Sequence, residues 1–144
     1  LQKLVYGKIF GKAPELDLEV EASYQAQILT AIKNGLVASA HDVAEGGVAV
    51  ALSESVIGSK GLGASVVLEG NAVSALFSES QSRFILSVKP EHQIEFESLT
   101  DAVLVGKVVE TPVLKVEING ENVINQDAEG LKKAWKGAIP CLLN

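Results

Sequence analysis

The sequence contains no methionine, one cysteine and two histidines. A single thiol, Cys141, cannot form a disulfide within the chain, and one cysteine with two histidines is too few for a typical zinc cluster. No apolar run approaches the roughly 20 residues that span a bilayer, and the amino terminus lacks a signal-peptide pattern. We therefore expect no structural metal, no membrane association and a cytoplasmic location.

Positive charge is also scarce, because 12 lysines and arginines face 18 acidic residues and give a net charge of -6. This balance leaves no basic stripe for a phosphate backbone, so nucleic acid is not an expected partner. The 144 residues are 47% hydrophobic, which suits one domain with its own core. Because the chain begins with Leu1 and has no methionine, we expect it to be a piece of a longer polypeptide.

The hydrophobic pattern predicts an α+β domain with a mixed or antiparallel sheet, because helical and strand patterns alternate irregularly. Apolar spacing predicts an amphipathic helix capped by Asp17 and ending near Asn34, and the apolar composition of 48–57 predicts a buried helix. Residues 1–16 are expected to form an irregular lead-in. Further helices are predicted at 90–99 and 127–136, and strands at 64–68, 84–88, 103–109, 113–118 and 121–124, with a hairpin turn at Asn119-Gly120.

The first candidate functional segment runs from His41 through Asp42 and Glu45 to Gly46 and Gly47. Glycines before a helix let the backbone approach a ligand closely, and the N–H groups of the first turn attract acceptors. The two carboxylates would repel a bare anion, so we assign them to ligand N–H or hydroxyl groups, or to supporting contacts. Alternatively, Asp42 and Glu45 form a capping-box pair and His41 is a hydrogen-bonded buried histidine.

The second candidate segment, residues 78–83, contains the only arginine of the chain. A guanidinium is a rigid, permanently charged fork suited to carboxylate or phosphate, whereas all other cations here are lysines. Serines, Glu79 and Gln81 add donors and acceptors, and the apolar runs 75–77 and 84–86 would fix the segment to the core. Alternatively, the segment is a polar turn in which Arg83 pairs with Glu79.

Three stretches together resemble one enzyme family: the His41 to Gly47 segment with Ala40 before it, the run Leu76 to Phe84, and the closing Trp135 to Pro140. The family is phosphoribosylformylglycinamidine synthase, and the likeness to the last domain of its small bacterial synthetase subunit covers essentially all 144 residues. The first stretch is shared loosely across the aminoimidazole ribonucleotide synthetase superfamily. The second and third are more specific to this enzyme.

The resemblance implies a three-layer α/β/α domain of α+β class, with a mixed, largely antiparallel sheet like the C-terminal half of aminoimidazole ribonucleotide synthetase. Residues 1–144 would be one C-terminal domain of a longer ligase. In that ligase, ATP activates the formamide oxygen of formylglycinamide ribonucleotide, and ammonia then displaces phosphate. The implied partners are the rest of the subunit, a glutaminase subunit that supplies ammonia, and a small accessory subunit.

ATP and magnesium are implied for the full-length enzyme but not for this chain alone, because the motifs that hold them are absent here. We therefore expect no catalytic and no metal-binding residue in the chain. Related superfamily members, namely aminoimidazole ribonucleotide synthetase, thiamine monophosphate kinase and selenophosphate synthetase, remain alternatives, as does a purely structural docking module. The positions expected to face the substrate or the cleft are His41, Asp42, Glu45, Gly46, Gly47, Ser78, Glu79, Ser80, Gln81, Ser82 and Arg83.

Overall fold

The computed structural model describes residues 1–9, 11 and 14–142, with side chains as far as residue 137. Its helices are α1 (Gln2–Tyr6), α2 (Leu18–Lys33), α3 (Gly47–Gly58), α4 (Ala72–Phe77), α5 (Gln93–Leu99) and α6 (Ala128–Leu142), with a 3₁₀ turn at Pro90–His92. Its strands are β1 (Val37–Asp42), β2 (Gly63–Leu68), β3 (Phe84–Val88), β4 (Gly106–Val109), β5 (Val113–Ile118) and β6 (Glu121–Asp127).

The strands of the described residues form two sheets. β1 and β3 pair antiparallel, and the other sheet has the order β4-β2-β5-β6. In the larger sheet β2 is parallel to β5, whereas the β2–β4 and β5–β6 pairs are antiparallel. The predicted α+β class with a mixed, largely antiparallel sheet is therefore confirmed.

The main core lies between α3 and the larger sheet. Helix α3 is apolar on most of its surface, as predicted, and it also contacts β1 and β3. Leu114 and Val116 of β5 are each 0% exposed, because they lie on the face of the central strand that packs in the core with α3. The buried members of this core are Val43, Val48, Ala49, Ala51, Leu52, Val56, Val66, Leu76, Leu114, Val116 and Ile118.

A smaller core joins α2 and α5 to the two-stranded sheet, through the buried residues Ala31, Leu36 and Phe96. Asp17 caps α2 as predicted, since its carboxylate accepts hydrogen bonds from the N–H groups of Glu19 and Val20. Of the sixteen residues of α2 only Ala31 is buried. Much of the apolar surface of this helix is therefore left exposed.

Several predicted elements differ from the structure. Helix α1 lies within the lead-in expected to be irregular, and α4 occupies part of an apolar run that was not predicted as helical. Strand β4 begins at Gly106 rather than at 103, and β6 continues to Asp127. On α6, Leu131 packs against the core, whereas Trp135 is 59% exposed.

Candidate functional site

The two candidate segments lie side by side at one end of the two-stranded sheet. His41 pairs with Ile85 and Asp42 pairs with Phe84, so the segment that follows β1 and the segment that precedes β3 leave the sheet together. The N–H of Val43 donates a hydrogen bond of 2.8 Å to the carbonyl oxygen of Arg83. Residues 41–47 and 78–83 therefore form one junction, which we call the β1–β3 junction.

Two contacts join the glycine pair to the second segment. The N–H of Gly46 donates a 2.8 Å hydrogen bond to the Oε1 atom of Glu79. Gly47 has a φ of +69°, and a Cβ there would lie 2.6 Å from the carbonyl oxygen of Leu76 and 2.8 Å from the Cα of Phe77. Gly47 therefore permits a close approach between two parts of the backbone, in addition to its conformational freedom.

Arg83 closes the second segment on itself. Its half-buried guanidinium donates from Nη1 to the carbonyl oxygen of Ser78 at 3.1 Å. No ion pair joins Arg83 to Glu79 in the described part of the chain, so the sequence-based alternative of an Arg83–Glu79 pair is wrong. Ser82, at a φ of 45°, accepts a 3.0 Å hydrogen bond from the side-chain amide of Gln25 on α2. The loop is thus held from within and by a neighbouring helix.

His41 lies on β1 with both ring nitrogens facing acceptors. Nε2 is 3.2 Å from Oε2 of Glu54, and Nδ1 is 2.7 Å from the carbonyl oxygen of Asp42. A carbonyl and a carboxylate both accept hydrogen bonds, so the imidazole of His41 lies between two acceptors. Glu54, on α3, was not predicted as part of the site. A single charged residue on a mostly apolar helix was the available signal.

The remaining acidic residues do not cap α3. Asp42 belongs to β1 and its side chain is 71% exposed, while the helix begins after Gly46, at a φ of 86°. The capping-box interpretation of Asp42 and Glu45 is therefore wrong. Glu45 is exposed and makes no hydrogen bond or ion pair to any described residue.

A groove of about 360 Å³ lies beside the junction. Leu29 and Ile32 of α2, which line it, are 55% and 44% exposed. The contribution of α2 was not predicted, although its apolar stripe was visible in the sequence. The full lining consists of Gln25, Ile28, Leu29, Ile32, Ala40, His41, Asp42 and Phe84.

No group of three or more His, Cys, Asp or Glu side chains within the described residues is arranged to hold a metal ion. The junction offers instead backbone groups, hydroxyls, one amide, separate carboxylates and one guanidinium. Such a set can bind a polar ligand by hydrogen bonds and can hold a loop in place. Among the helices of the described part, none has the length and apolar character to cross a membrane.

Comparison with known proteins places this chain in a family. The model of AIR synthase related protein, C-terminal domain, matches residues 5–119. T. maritima PurL complexed with FGAR is 28% identical with a TM-score of 0.70, over 81% of this chain and 21% of that chain. The same protein complexed with AMPPCP is 26% identical with a TM-score of 0.66, over 76% and 21%.

A structure of PurLQS from Thermotoga maritima is 25% identical with a TM-score of 0.71, over 90% of this chain and 24% of that chain. The present chain thus spans only about a fifth to a quarter of the length of the structures it matches. The family match covers well over half of the chain, including all eleven candidate positions. The chain therefore belongs to the family of AIR synthase related protein C-terminal domains, and within it to the PurL type.

Proposed function

We propose that this chain is the C-terminal domain of an ATP-dependent ligase of purine biosynthesis that converts formylglycinamide ribonucleotide and ammonia to the amidine. The chain supplies one wall of the substrate cleft and has no synthetase activity alone. ATP, magnesium and the catalytic groups belong to the other domains of the subunit. Glutamine would provide the ammonia through a separate glutaminase subunit, with a small accessory subunit in the complex, and the enzyme would work in the cytoplasm.

The observation that carries this proposal is the meeting of the two candidate segments, residues 41–47 and 78–83, at the β1–β3 junction. They are far apart in sequence, yet they are joined by the Gly46–Glu79 and Val43–Arg83 hydrogen bonds. Solved relatives are complexed with FGAR and with AMPPCP, which supports ligands of this class for the complete ligase. The PurLQS structure likewise supports a multisubunit setting.

The exposed apolar surface also supports a role inside a larger subunit. Leu29 and Ile32 on α2, and Val103 and Leu104 before β4, are between 44% and 80% exposed. Apolar surface of this extent is expected where a domain packs against another part of a protein. It also favours the second candidate, a docking module without any ligand contact.

Activity measurements test the proposal. The 144-residue chain and a complete subunit that contains it are each incubated with ATP, magnesium, ammonia and formylglycinamide ribonucleotide, and amidine formation is followed. We expect turnover only from the complete subunit. Turnover by the chain alone would contradict the assignment of catalysis to the other domains, and none from the complete subunit would contradict the proposed reaction.

Steady-state kinetics distinguish a domain that forms a wall of the substrate cleft from a docking module without ligand contact. In the complete subunit, Asp42→Ala at the junction should raise the KM for formylglycinamide ribonucleotide, whereas Glu110→Ala, at an exposed carboxylate outside the junction, should not. Equal kinetics for both variants and the parent enzyme would favour the docking module.

A further inference from the structure

We propose that Glu79 is a positioning residue that fixes the 78–83 loop to the amino end of α3, and is not itself a ligand contact. The loop then presents Ser80 and Gln81 to the substrate. This assignment rests on the proposed function for its kinetic consequence, but the Gly46–Glu79 contact can be tested without any enzyme activity.

The start of α3 lacks the acceptor that helices commonly supply for themselves. In a capping box, the third helical residue is a Glu or Gln whose side chain accepts the backbone N–H of the N-cap residue. The N-cap of α3 is Gly46 and its third helical residue is Ala49, which is buried and has no acceptor. Glu79 accepts the N–H of Gly46 at 2.8 Å instead. A residue from the second segment therefore takes the place of the missing capping-box glutamate.

The charge on Glu79 suits this position, because the amino end of a helix carries partial positive charge. The same contact occupies an N–H group that an anionic ligand would otherwise use. Glu79 thus places a carboxylate at the amino end of α3 and ties the loop to it. Although Glu79 is exposed, its side chain accepts a hydrogen bond from a backbone group 33 residues away in sequence.

Other contacts already fix Ser78, Ser82 and Arg83 of the loop. Arg83 donates to the carbonyl oxygen of Ser78, and Ser82 accepts from Gln25. Within the described residues, the side chains of Ser80 and Gln81 make no hydrogen bond to the protein. Ser80 and Gln81, like the Ser78 hydroxyl, therefore remain available to a ligand once Glu79 has fixed the turn.

Two substitutions separate positioning from ligand contact. Glu79→Gln retains a side-chain carbonyl oxygen that can accept the Gly46 N–H, whereas Glu79→Ala removes the acceptor. If the charge of Glu79 contacted the ligand, both variants would lose function together. If Glu79 positions the loop, Glu79→Gln should keep the function that Glu79→Ala loses. Glu69→Ala is the control, because Glu69 is exposed and lies outside the junction.

Amide hydrogen exchange of the 144-residue chain, followed by NMR, tests the contact. We expect the Gly46 N–H to exchange about tenfold faster in Glu79→Ala than in the parent chain, because a hydrogen bond to a charged group is lost. In Glu79→Gln and in Glu69→Ala, the exchange rate of the Gly46 N–H should lie within about threefold of its rate in the parent chain, because both variants keep an acceptor for this N–H. An unchanged exchange rate of the Gly46 N–H in Glu79→Ala would overturn the contact, independently of any activity measurement.

Steady-state kinetics of the complete subunit test its consequence. We expect Glu79→Ala to lower kcat/KM for formylglycinamide ribonucleotide by about tenfold or more, mainly through KM, because the loop is no longer held in place. Glu79→Gln should stay within about twofold, as should Glu69→Ala. Equal losses for Glu79→Gln and Glu79→Ala, or full activity of Glu79→Ala, would overturn the positioning role. An inactive parent subunit would contradict the proposed function, while the exchange result would still decide the contact.

Discussion

Gly47 combines two requirements that only glycine meets. Its φ of +69° disfavours a side chain, and the backbone of Leu76 and Phe77 fills the space where a Cβ would lie. The glycine pair was predicted to let a ligand approach the backbone. In the structure Gly47 instead lets the end of α4 approach the start of α3, and this approach brings the two candidate segments together.

Gly47→Ala should lower the free energy of unfolding by about 2–4 kcal/mol, because left-handed strain and overlap with backbone atoms add together. Gly70→Ala is the matched control. Gly70 has a φ of +92° but nothing within 4 Å of a built Cβ, so only the conformational cost of about 1–2 kcal/mol is expected. Urea unfolding measures both changes. Equal losses would show that the close approach at Gly47 is unimportant.

Arg83→Lys tests the unique arginine. A lysine has no fork to reach the Ser78 carbonyl in the same geometry, so we expect a loss of about 0.5–1.5 kcal/mol in the free energy of unfolding. Lys107→Arg, an exposed exchange of the same pair of residue types, should change it by less than about 0.5 kcal/mol. A stability of Arg83→Lys equal to that of the parent chain would contradict the structural role of the guanidinium.

The sequence indicates the residues of the junction but not the contacts that these residues make. Gly46 and Glu79 were both predicted site positions, yet their contact depends on the β1–β3 register, which a single sequence does not specify. The Glu54–His41 contact depends in the same way on how α3 packs against β1. Whether the eleven positions face a substrate stays a prediction.

Among the elements, those with strong patterns were predicted best. Strands 84–88 and 113–118 have the predicted bounds, because β-branched and apolar residues are concentrated there. Helix α4 was missed because six residues are too few for a 3.6-residue period to show. Its usable signal was Asn71, whose side chain accepts the N–H of Ser74 as an N-cap.

Strand β5 carries the centre of the main core, so a large-to-small substitution there should be costly. Leu114→Ala should lower the free energy of unfolding by about 2–5 kcal/mol, because it leaves a cavity at a fully buried position. Leu104→Ala, at a position that is 72% exposed, should cost less than about 0.5 kcal/mol. Chemical denaturation checks both, and a similar cost at the two positions would contradict the placement of the core.

At the scale of the whole molecule, the described residues leave much of the apolar surface of α2 uncovered. Helix α2 buries one residue of sixteen, and its apolar stripe lines the groove beside the junction. The amphipathic pattern correctly predicted the helix. It could not reveal that most of the stripe faces away from the core, because burial depends on which neighbours are present.

Leu29→Lys tests whether this surface packs against the rest of the subunit. The free energy of unfolding of the 144-residue chain should change by less than about 0.5 kcal/mol, because Leu29 is 55% exposed. In the complete subunit the same change should lower the Tm, since a charge would enter an apolar contact. Ala22→Lys, exposed on the same helix but outside the groove, should leave both quantities unchanged. Equal Tm values for the two variants would argue against an interface at the groove.

The parallel pairing of β2 with β5 has a consequence for how the protein is made. β2 needs β5 beside it, yet β5 follows α4, β3, α5 and β4 in the chain. On the ribosome, the first half of the sequence would therefore emerge before β5, the strand against which Val66 and the apolar side of α3 pack. The core can close only after β5 has been synthesised, so the apolar side chains of the earlier elements are exposed to aggregation until then.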